Sequence, residues 1–355
     1  YAYGGDFNKT DAHDYNFCDN GLVSPDRVPN PHMYEVGYYY QNIWTSLADA
    51  SKGTVEIFNE NFFTDLSAYA LRWELLRDGK AVRSGVVSDI DVAPQQKAAV
   101  ALGFGKTDDS AEWLLNVYYV LKSEDGLLPA GHVAAKEQIA LTGYKACDKE
   151  FANKTLVNQE TSIPQIGDSD RNYIFVCGDN FNVTFSRASG FVTSYSYDGV
   201  SLLGDGESVK PNFWRAPTDN DMGAQLQNKY AAWKNPGFKL TSLETATENG
   251  LVVVTAAYDL TSVGGKMTVT YTINNEGAVK VCEKMSSPKD ASGLFRYGMQ
   301  IPMPKSFENI EYYGRGPVEN YSDRYTCAFV GRYSSTVAEQ VTEYTKPQDM
   351  SNHEQ

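Results

Sequence analysis

The sequence lacks the features that mark a covalently stapled or metal-held fold. Its five cysteines, Cys18, Cys147, Cys177, Cys282 and Cys327, are odd in number and far apart, with no CxxC or zinc-type spacing. A disulfide framework and a zinc module are both excluded by that count, and the thiols are expected to be reduced and mostly buried as small hydrophobes. Histidine is scarce: no two of His13, His32, His132 and His353 stand at metal-ligand spacing, and neither HExxH nor GxSxG occurs, so no zincin or serine-hydrolase elbow is present. Basic clusters are missing as well. With 31 Lys and Arg against 45 Asp and Glu, the formal net charge is -14, a field that repels polyanions and disfavours nucleic acid as a partner. No stretch approaches the roughly 18 apolar residues of a membrane span, and the first residues carry neither the basic nor the apolar region of a signal peptide. An initiator Met is absent and no stop to the fold is evident at Gln355. The sequence is therefore read as a piece of a longer chain, with any export signal upstream.

What is present is apolar and aromatic in measure enough to fill cores: 42% hydrophobic, with 24 Tyr, too rich for disorder. Polar and proline-rich punctuation at 24–31 and 149–170 marks two candidate linkers. Between them the period is two, as in Tyr69, Leu71, Trp73 and Leu75, and again in Trp113, Leu115, Val117, Tyr119 and Leu121. That is strand patterning with one buried face. Asp78-Gly79 fits a tight hairpin turn, since both residue types tolerate positive φ, and about 110 residues of such spacing predict an immunoglobulin-like sandwich. After the second linker the strand signals resume at 181–185, 191–197, 251–258 and 266–273, with turns at Ser189-Gly190, Asp198-Gly199 and Asn275-Glu276-Gly277. The exception is Gly223 to Trp233, where Leu226, Tyr230 and Trp233 fall at helical spacing; a short helix on a loop is predicted there.

Few constellations could carry chemistry. Asp219-Asn220-Asp221 before Gly223 suggests a calcium loop, but the third ligand and the later Glu of that motif are missing, so a helix cap and turn is expected. The run from Gly314 to Arg324 begins like a phosphate loop that no GKS/T or GxGxxG completes; a structural loop with internal Glu/Asp to Arg pairs is expected instead. Trp214 and the tyrosines could be sugar-stacking platforms or simply core. Four N-x-S/T sequons, at Asn8, Asn153, Asn182 and Asn320, carry little weight.

Taken in order, the motifs Ala2-Tyr3-Gly4-Gly5-Asp6-Phe7, Asn20-Gly21-Leu22-Val23 with Asp26-Arg27, Asp78-Gly79-Lys80 and Asp91-Val92-Ala93-Pro94-Gln95 resemble a known family. Further on, so do Ala130-Gly131-His132, Ser189-Gly190-Phe191, Arg215-Ala216-Pro217 with Asp219-Asn220-Asp221, and Gly316-Pro317 with Glu319-Asn320-Tyr321 and Asp323-Arg324. Together they resemble the C-terminal half of a large bacterial β-galactosidase of glycoside hydrolase family 2, over nearly the whole chain. The resemblance implies a mainly β architecture. Residues 1–35 would be the end of a catalytic (β/α)8 barrel, 37–145 an immunoglobulin-like β-sandwich, and 146–164 a linker. Residues 165–355 would be the first part of a truncated, galactose-mutarotase-like β-supersandwich. Residues 1 to about 35 are then expected not to join the sheet that begins near Tyr38.

In that family two glutamates on barrel strands hydrolyse terminal β-D-galactosides with retention, and the resemblance places both upstream of Tyr1. The fragment is thus expected to be inactive by itself, and the parent's magnesium ligands are likewise absent. By motif match, Phe17 and Asn20 occupy positions whose carbonyl and side-chain oxygens bind sodium. The segment Gly223 to about Asn235, with Gly223, Ala224 and Gln225 at its start, matches a mobile loop that swings over the active site, and it is expected to be more mobile than the flanking sheets. The implied parent is a homo-oligomer acting on a β-galactoside in the bacterial cytoplasm or periplasm. A reading from a different class is a stand-alone carbohydrate-binding β-sandwich protein, which requires a native start and a natural stop.

Overall fold

The computed structural model describes residues 4–12, 21–108, 111–143, 151, 163–288, 290 and 292–341. Most of the expected linker at 146–164 lies outside them. The described residues cluster into two compact units. One takes the chain up to 143 together with Asn309 onward, and the other takes the chain between them as far as Glu308. The domain division read by chain order thus differs from the clustering of contacts at residues 309–341.

Among its described residues the first unit opens with a 3-10 turn at Gly4–Asp6 and an isolated bridge, Val23 to Pro29. Residues 4–12 and 21–30 join no sheet, as expected. A helix follows that periodicity did not predict, α1 (Pro31–Tyr39). Proline at its first position is pre-set for helical φ and loses no hydrogen bond there, so the Pro-rich stretch ends in a helix start. The helix buries Glu35 and Tyr38, and the first strand begins at Ile43, not near Tyr38.

Seven strands make the sandwich: β1 (Ile43–Asp49), β2 (Thr54–Asn59), β3 (Tyr69–Arg77), β4 (Lys80–Val87), β5 (Lys97–Ala101), β6 (Trp113–Leu121) and β7 (Val133–Ala140). They form one sheet in the order β1-β2-β5 and another in the order β4-β3-β6-β7. This two-layer, crossed-over arrangement is immunoglobulin-like. Leu71, Trp73 and Leu75 of β3 and Leu115, Val117 and Tyr119 of β6 point into the shared core with Val55 and Ile57 of β2. Each such large side chain removed from water contributes about 1.5–3 kcal/mol. The β3–β4 hairpin turns on Asp78 (φ 48°) and Gly79 (φ 75°), the predicted left-handed pair. One expectation fails in β6, where Leu114 and Asn116 on the opposite face are also buried. Two later strands explain it, as described below.

The second unit carries β8 (Gln165–Gly167), β9 (Tyr173–Cys177), β10 (Phe181–Ser186), β11 (Val192–Tyr197) and β12 (Val200–Ser201) in a five-stranded antiparallel sheet. A short pair joins β13 (Lys210–Asn212) to β18 (Gly298–Gln300), and a second sheet runs β14 (Phe238–Glu248), β15 (Leu251–Leu260), β16 (Gly265–Ile273) and β17 (Val279–Ser286). Strict alternation in β15 and β16 places Val252, Val254, Ala256 and Tyr258 beside Met267, Val269, Tyr271 and Ile273 on one face. Rings cross the sandwich, with Phe185 on Tyr271 at 5.1 Å and Phe191 stacked on Tyr258 at 5.3 Å.

The last strands among the described residues, β19 (Asn309–Gly316) and β20 (Phe329–Thr336), pair antiparallel and belong to the first unit. Gln138 of β7 exchanges two hydrogen bonds with the backbone of Val330, donating at 2.8 Å and accepting at 2.7 Å. Phe329 packs 6.4 Å from Tyr118. These contacts lie on the outer face of the four-stranded sheet, which is why β6 is buried on both sides. The loop between the strands holds the Glu319–Arg324 ion pair at 2.6 Å, the internal pairing expected of a structural loop. Of the three described free thiols, only Cys327 is buried; Cys177 is half-buried and Cys282 exposed.

Candidate functional site

Of the residues singled out from the sequence, Phe17 and Asn20 lie outside the described residues. Gly223, Ala224 and Gln225 lie in the second unit, on the connection between β13 and β14. The helix there differs from the predicted one. It begins at Asp219, four residues early, and is broken into α2 (Asp219–Gly223), α3 (Leu226–Lys229) and a 3-10 turn at Ala231–Lys234. Two local causes set this. Thr218 is the N-cap of a full capping box with Asp221: its hydroxyl accepts from the Asp221 amide at 3.2 Å, and the Asp221 carboxylate accepts from the Thr218 amide at 2.8 Å. At the other end Gln225 is left-handed (φ 60°), which stops α2 and starts a new turn. The acidic cluster caps a helix, as expected.

Asp221 is 7% exposed and also pairs with the Arg215 guanidinium, one nitrogen in close contact and the other at 3.4 Å. Burial acts to raise its carboxyl, but the bonds from Arg215 and the Thr218 amide outweigh it and hold the group below the usual aspartate range. Arg215 in turn lies over the Phe295 ring at 4.7 Å, and Trp214 packs edge-on against that ring at 4.9 Å. Trp214 is therefore half-buried against a ring and not an open platform. The far end of the segment is fixed by Trp233, 1% exposed, which packs on Phe213 at 5.4 Å and donates its indole N–H to the Ser292 hydroxyl at 3.2 Å.

Between these anchors Met222, Gly223, Ala224 and Gln225 are exposed. The tip is tied within itself: Gln225 donates to the Met222 carbonyl at 3.0 Å and accepts from Asn228 at 2.7 Å, and Lys229 donates to the Ala224 carbonyl at 2.8 Å. The arrangement is a preformed polar tip held at both ends by buried anchors.

A second polar cluster, in the first unit, escaped sequence reasoning. Glu35 of α1 accepts from the Cys327 amide at 2.8 Å and the Thr326 amide at 3.1 Å. Burial raises its carboxyl, and these bonds more than compensate, leaving it below the glutamate norm. Lys136 donates to the Cys327 carbonyl at 2.9 Å, and burial lowers its ammonium. Tyr38 donates to both oxygens of Glu137 at 2.8 and 2.9 Å; burial pushes the Cys327 thiol up to about 12 and raises Glu137. Only Pro31 at a helix start hinted at this cluster. It stitches the helix to the sandwich and to the 325–330 segment. Among the described residues no group of three or more His, Cys, Asp or Glu is placed to hold a metal, and no helix is long and apolar enough to cross a membrane.

Comparison with known proteins follows the same order along the chain. Residues 1–45 match the family model described as "Glycosyl hydrolases family 2, TIM barrel domain", residues 55–142 "Beta-galactosidase, domain 4", and residues 177–355 "Beta galactosidase small chain". The chain is 30% identical over 356 residues to a β-galactosidase of Priestia megaterium, covering 99% of this chain and 33% of that protein. It is 30% identical over 355 residues to that of Streptococcus thermophilus, with the same coverage. To that of Clostridium acetobutylicum it is 32% identical over 339 residues, 94% of this chain and 36% of that protein. The chain thus spans about a third of the length of the curated relatives it matches. Half of the chain matches one β-galactosidase model, and the two others precede it in order, so this chain belongs to the β-galactosidases of glycosyl hydrolase family 2.

Proposed function

We propose that this chain is the noncatalytic C-terminal part of a β-galactosidase that hydrolyses terminal β-D-galactosides with retention. In this reading it supplies scaffold, sodium ligands and an active-site loop. The observation that carries the reading is the order of the three matches: a barrel-type segment, then domain 4, then the small-chain region. Retaining hydrolysis needs two carboxyl groups about 5–5.5 Å apart across the glycosidic bond, held by a rigid frame. In a (β/α)8 enzyme that frame is the C-terminal face of the barrel strands, and this chain's barrel match stops at residue 45.

The chain's own residues act on binding and closure. A backbone carbonyl at Phe17 and an amide oxygen at Asn20 are hard oxygen donors of the kind sodium prefers, and bound sodium would offer a Lewis-acidic contact for a sugar hydroxyl. The parent's magnesium would be held by residues of the barrel and not by this chain. The tip at Gly223, Ala224 and Gln225 is exposed and braced at Asp221 and Trp233, which supports the reading of this segment as an active-site loop. A homo-oligomeric parent acting in the bacterial cytoplasm or periplasm completes the proposal.

Two assays test it. The purified 355-residue chain should give no turnover of a chromogenic β-galactoside; turnover abolished by substituting one of its own acids, such as Asp221 or Glu319, would overturn the reading. In the full-length enzyme Asn20→Ala should weaken sodium activation, and an unchanged sodium dependence would remove Asn20 from the ligand set.

A further inference from the structure

The junction of α2 and α3 is a single residue in a backbone region that non-glycine residues seldom occupy. Gln225 stands at φ 60° and ψ 29°, where an L side chain crowds the following carbonyl. Such a conformation persists only where the surroundings compensate for it. Here the compensation comes from exposed side-chain hydrogen bonds. Gln225 donates to the Met222 carbonyl at 3.0 Å and accepts from Asn228 at 2.7 Å, and Lys229 donates to the Ala224 carbonyl at 2.8 Å. The two carbonyls have alternative donors in the backbone itself. In an unbroken helix the Met222 carbonyl would accept from the Leu226 amide and the Ala224 carbonyl from the Asn228 amide. Both oxygens are therefore satisfied in either arrangement. The broken arrangement carries a cost of its own, because the Gln227 amide oxygen is buried without a hydrogen-bond partner. Sequence spacing favours the alternative: Leu226, Tyr230 and Trp233 fit one helix through this segment, and Gln, Leu and Lys are good helix formers.

We propose that Gln225 is a two-state joint. With Gln225 left-handed, α2 and α3 are separate; with it right-handed, they join into one helix from Asp219 to Lys229, and Leu226–Lys229 swing into line behind α2. The N-terminal anchor serves both states. Thr218, Asp221 and Arg215 all precede the joint, so the capping box and the ion pair are unaffected by the change. On the other side the displacement is absorbed at Tyr230, whose φ of -105° and ψ of 7° already lie outside helical values, ahead of the buried Trp233. Every residue between Asp221 and Trp233 keeps contact with solvent. The switch thus re-aims the strap without opening the core. In the joined state the side chains of Gln225, Asn228 and Lys229 are released from their ties within the tip and are free to meet a polar ligand. The joint is a property of this chain's backbone, and its consequence for catalysis rests on the reading of this segment as an active-site loop.

Hydrogen exchange on the purified 355-residue chain, read at single residues over Asp219–Lys234, tests the joint. In the broken state Leu226 and Gln227 are the first amides of a helix and have no intrahelical acceptor; in the joined state they bond the Met222 and Gly223 carbonyls. Gln225→Ala keeps the left-handed cost and removes both side-chain bonds of Gln225. Leu226 and Gln227 should then exchange about tenfold more slowly than in the unaltered chain. Gln225→Gly removes the same bonds together with the left-handed cost, and should leave those two amides at or above their original rate. Gln225 is exposed, so both variants should fold. Unchanged rates in Gln225→Ala, or equal slowing in both variants, overturn the proposal. Kinetics of the full-length enzyme separate the joint from the loop reading: Gln225→Ala should change KM and kcat for a chromogenic β-galactoside by different factors. Slowed exchange with unaltered kinetics would uphold the joint and count against the active-site loop.

Discussion

Replacing Asp221 by Asn isolates what holds the loop in the second unit. The carboxylate of this 7% exposed residue meets both terminal nitrogens of Arg215 and the Thr218 amide. Asn keeps the shape and one acceptor but loses the charge and most of the guanidinium contact. Breaking a fully buried ion pair costs about 3–5 kcal/mol, and losing a cap contact about 1 kcal/mol. The Arg215 side chain is 25% exposed, so water recovers part of the first cost. About 2–3 kcal/mol is expected for the whole substitution. In a unit of this size that is a fall in Tm of roughly 5–10 °C, read by calorimetry, with hydrogen exchange over Asp219–Lys234 assigning the transition. The sign with pH follows from the lowered carboxyl. Its contribution is complete above the ordinary aspartate value and is lost as pH falls through the lower folded value, so wild type and variant should converge in strong acid. Thr218→Ala removes only the hydroxyl half of the capping box and should cost about 1 kcal/mol. A neutral-pH melt of Asp221→Asn within about 1 °C of wild type would refute the claim that this pair anchors the loop.

Three further outcomes are expected. Glu283 occupies a core-side register position on the edge strand β17, opposite Val269, and burial raises its carboxyl to about 7. The raised value means that its contribution is present below the ordinary glutamate range and is lost as pH rises through about 7. Glu283→Gln should therefore raise Tm more at pH 8 than at pH 5, in melts buffered across that interval, and an equal effect at both ends would contradict the assignment. Glu35→Gln should cost about 1–3 kcal/mol at neutral pH through the two amides it leaves poorly met. Because that carboxyl is lowered, the penalty should fade in acid, and a pH-independent penalty would speak against it. Gly190→Ala should cost about 2–3 kcal/mol in chemical denaturation, because Gly190 sits at φ +73° and a Cβ there would lie 2.5 Å from the Tyr258 hydroxyl and 2.7 Å from Leu240. A neutral result would show that this turn relaxes.

By itself the sequence determined whatever depends on neighbours along the chain. Alternation in β3, β15 and β16 specifies which face is buried, since successive side chains point to opposite sides. Asp78-Gly79 specifies its own turn, because few other pairs take two left-handed residues cheaply. Thr218 with Asp221 specifies a helix start, although the helical spacing of Leu226, Tyr230 and Trp233 drew attention further along. What escaped is set by partners far away in the chain. Nothing near Asn116 says that its face of β6 is covered, because the covering group is Val330 and its neighbours, joined through Gln138 across 192 positions. The roles of Glu35 and Lys136 depend likewise on Cys327, with separations of 292 and 191 residues. Local propensity is written in adjacent residues and can be read there. Burial of a polar group depends on whichever distant backbone arrives to meet it, and only the tertiary structure decided that.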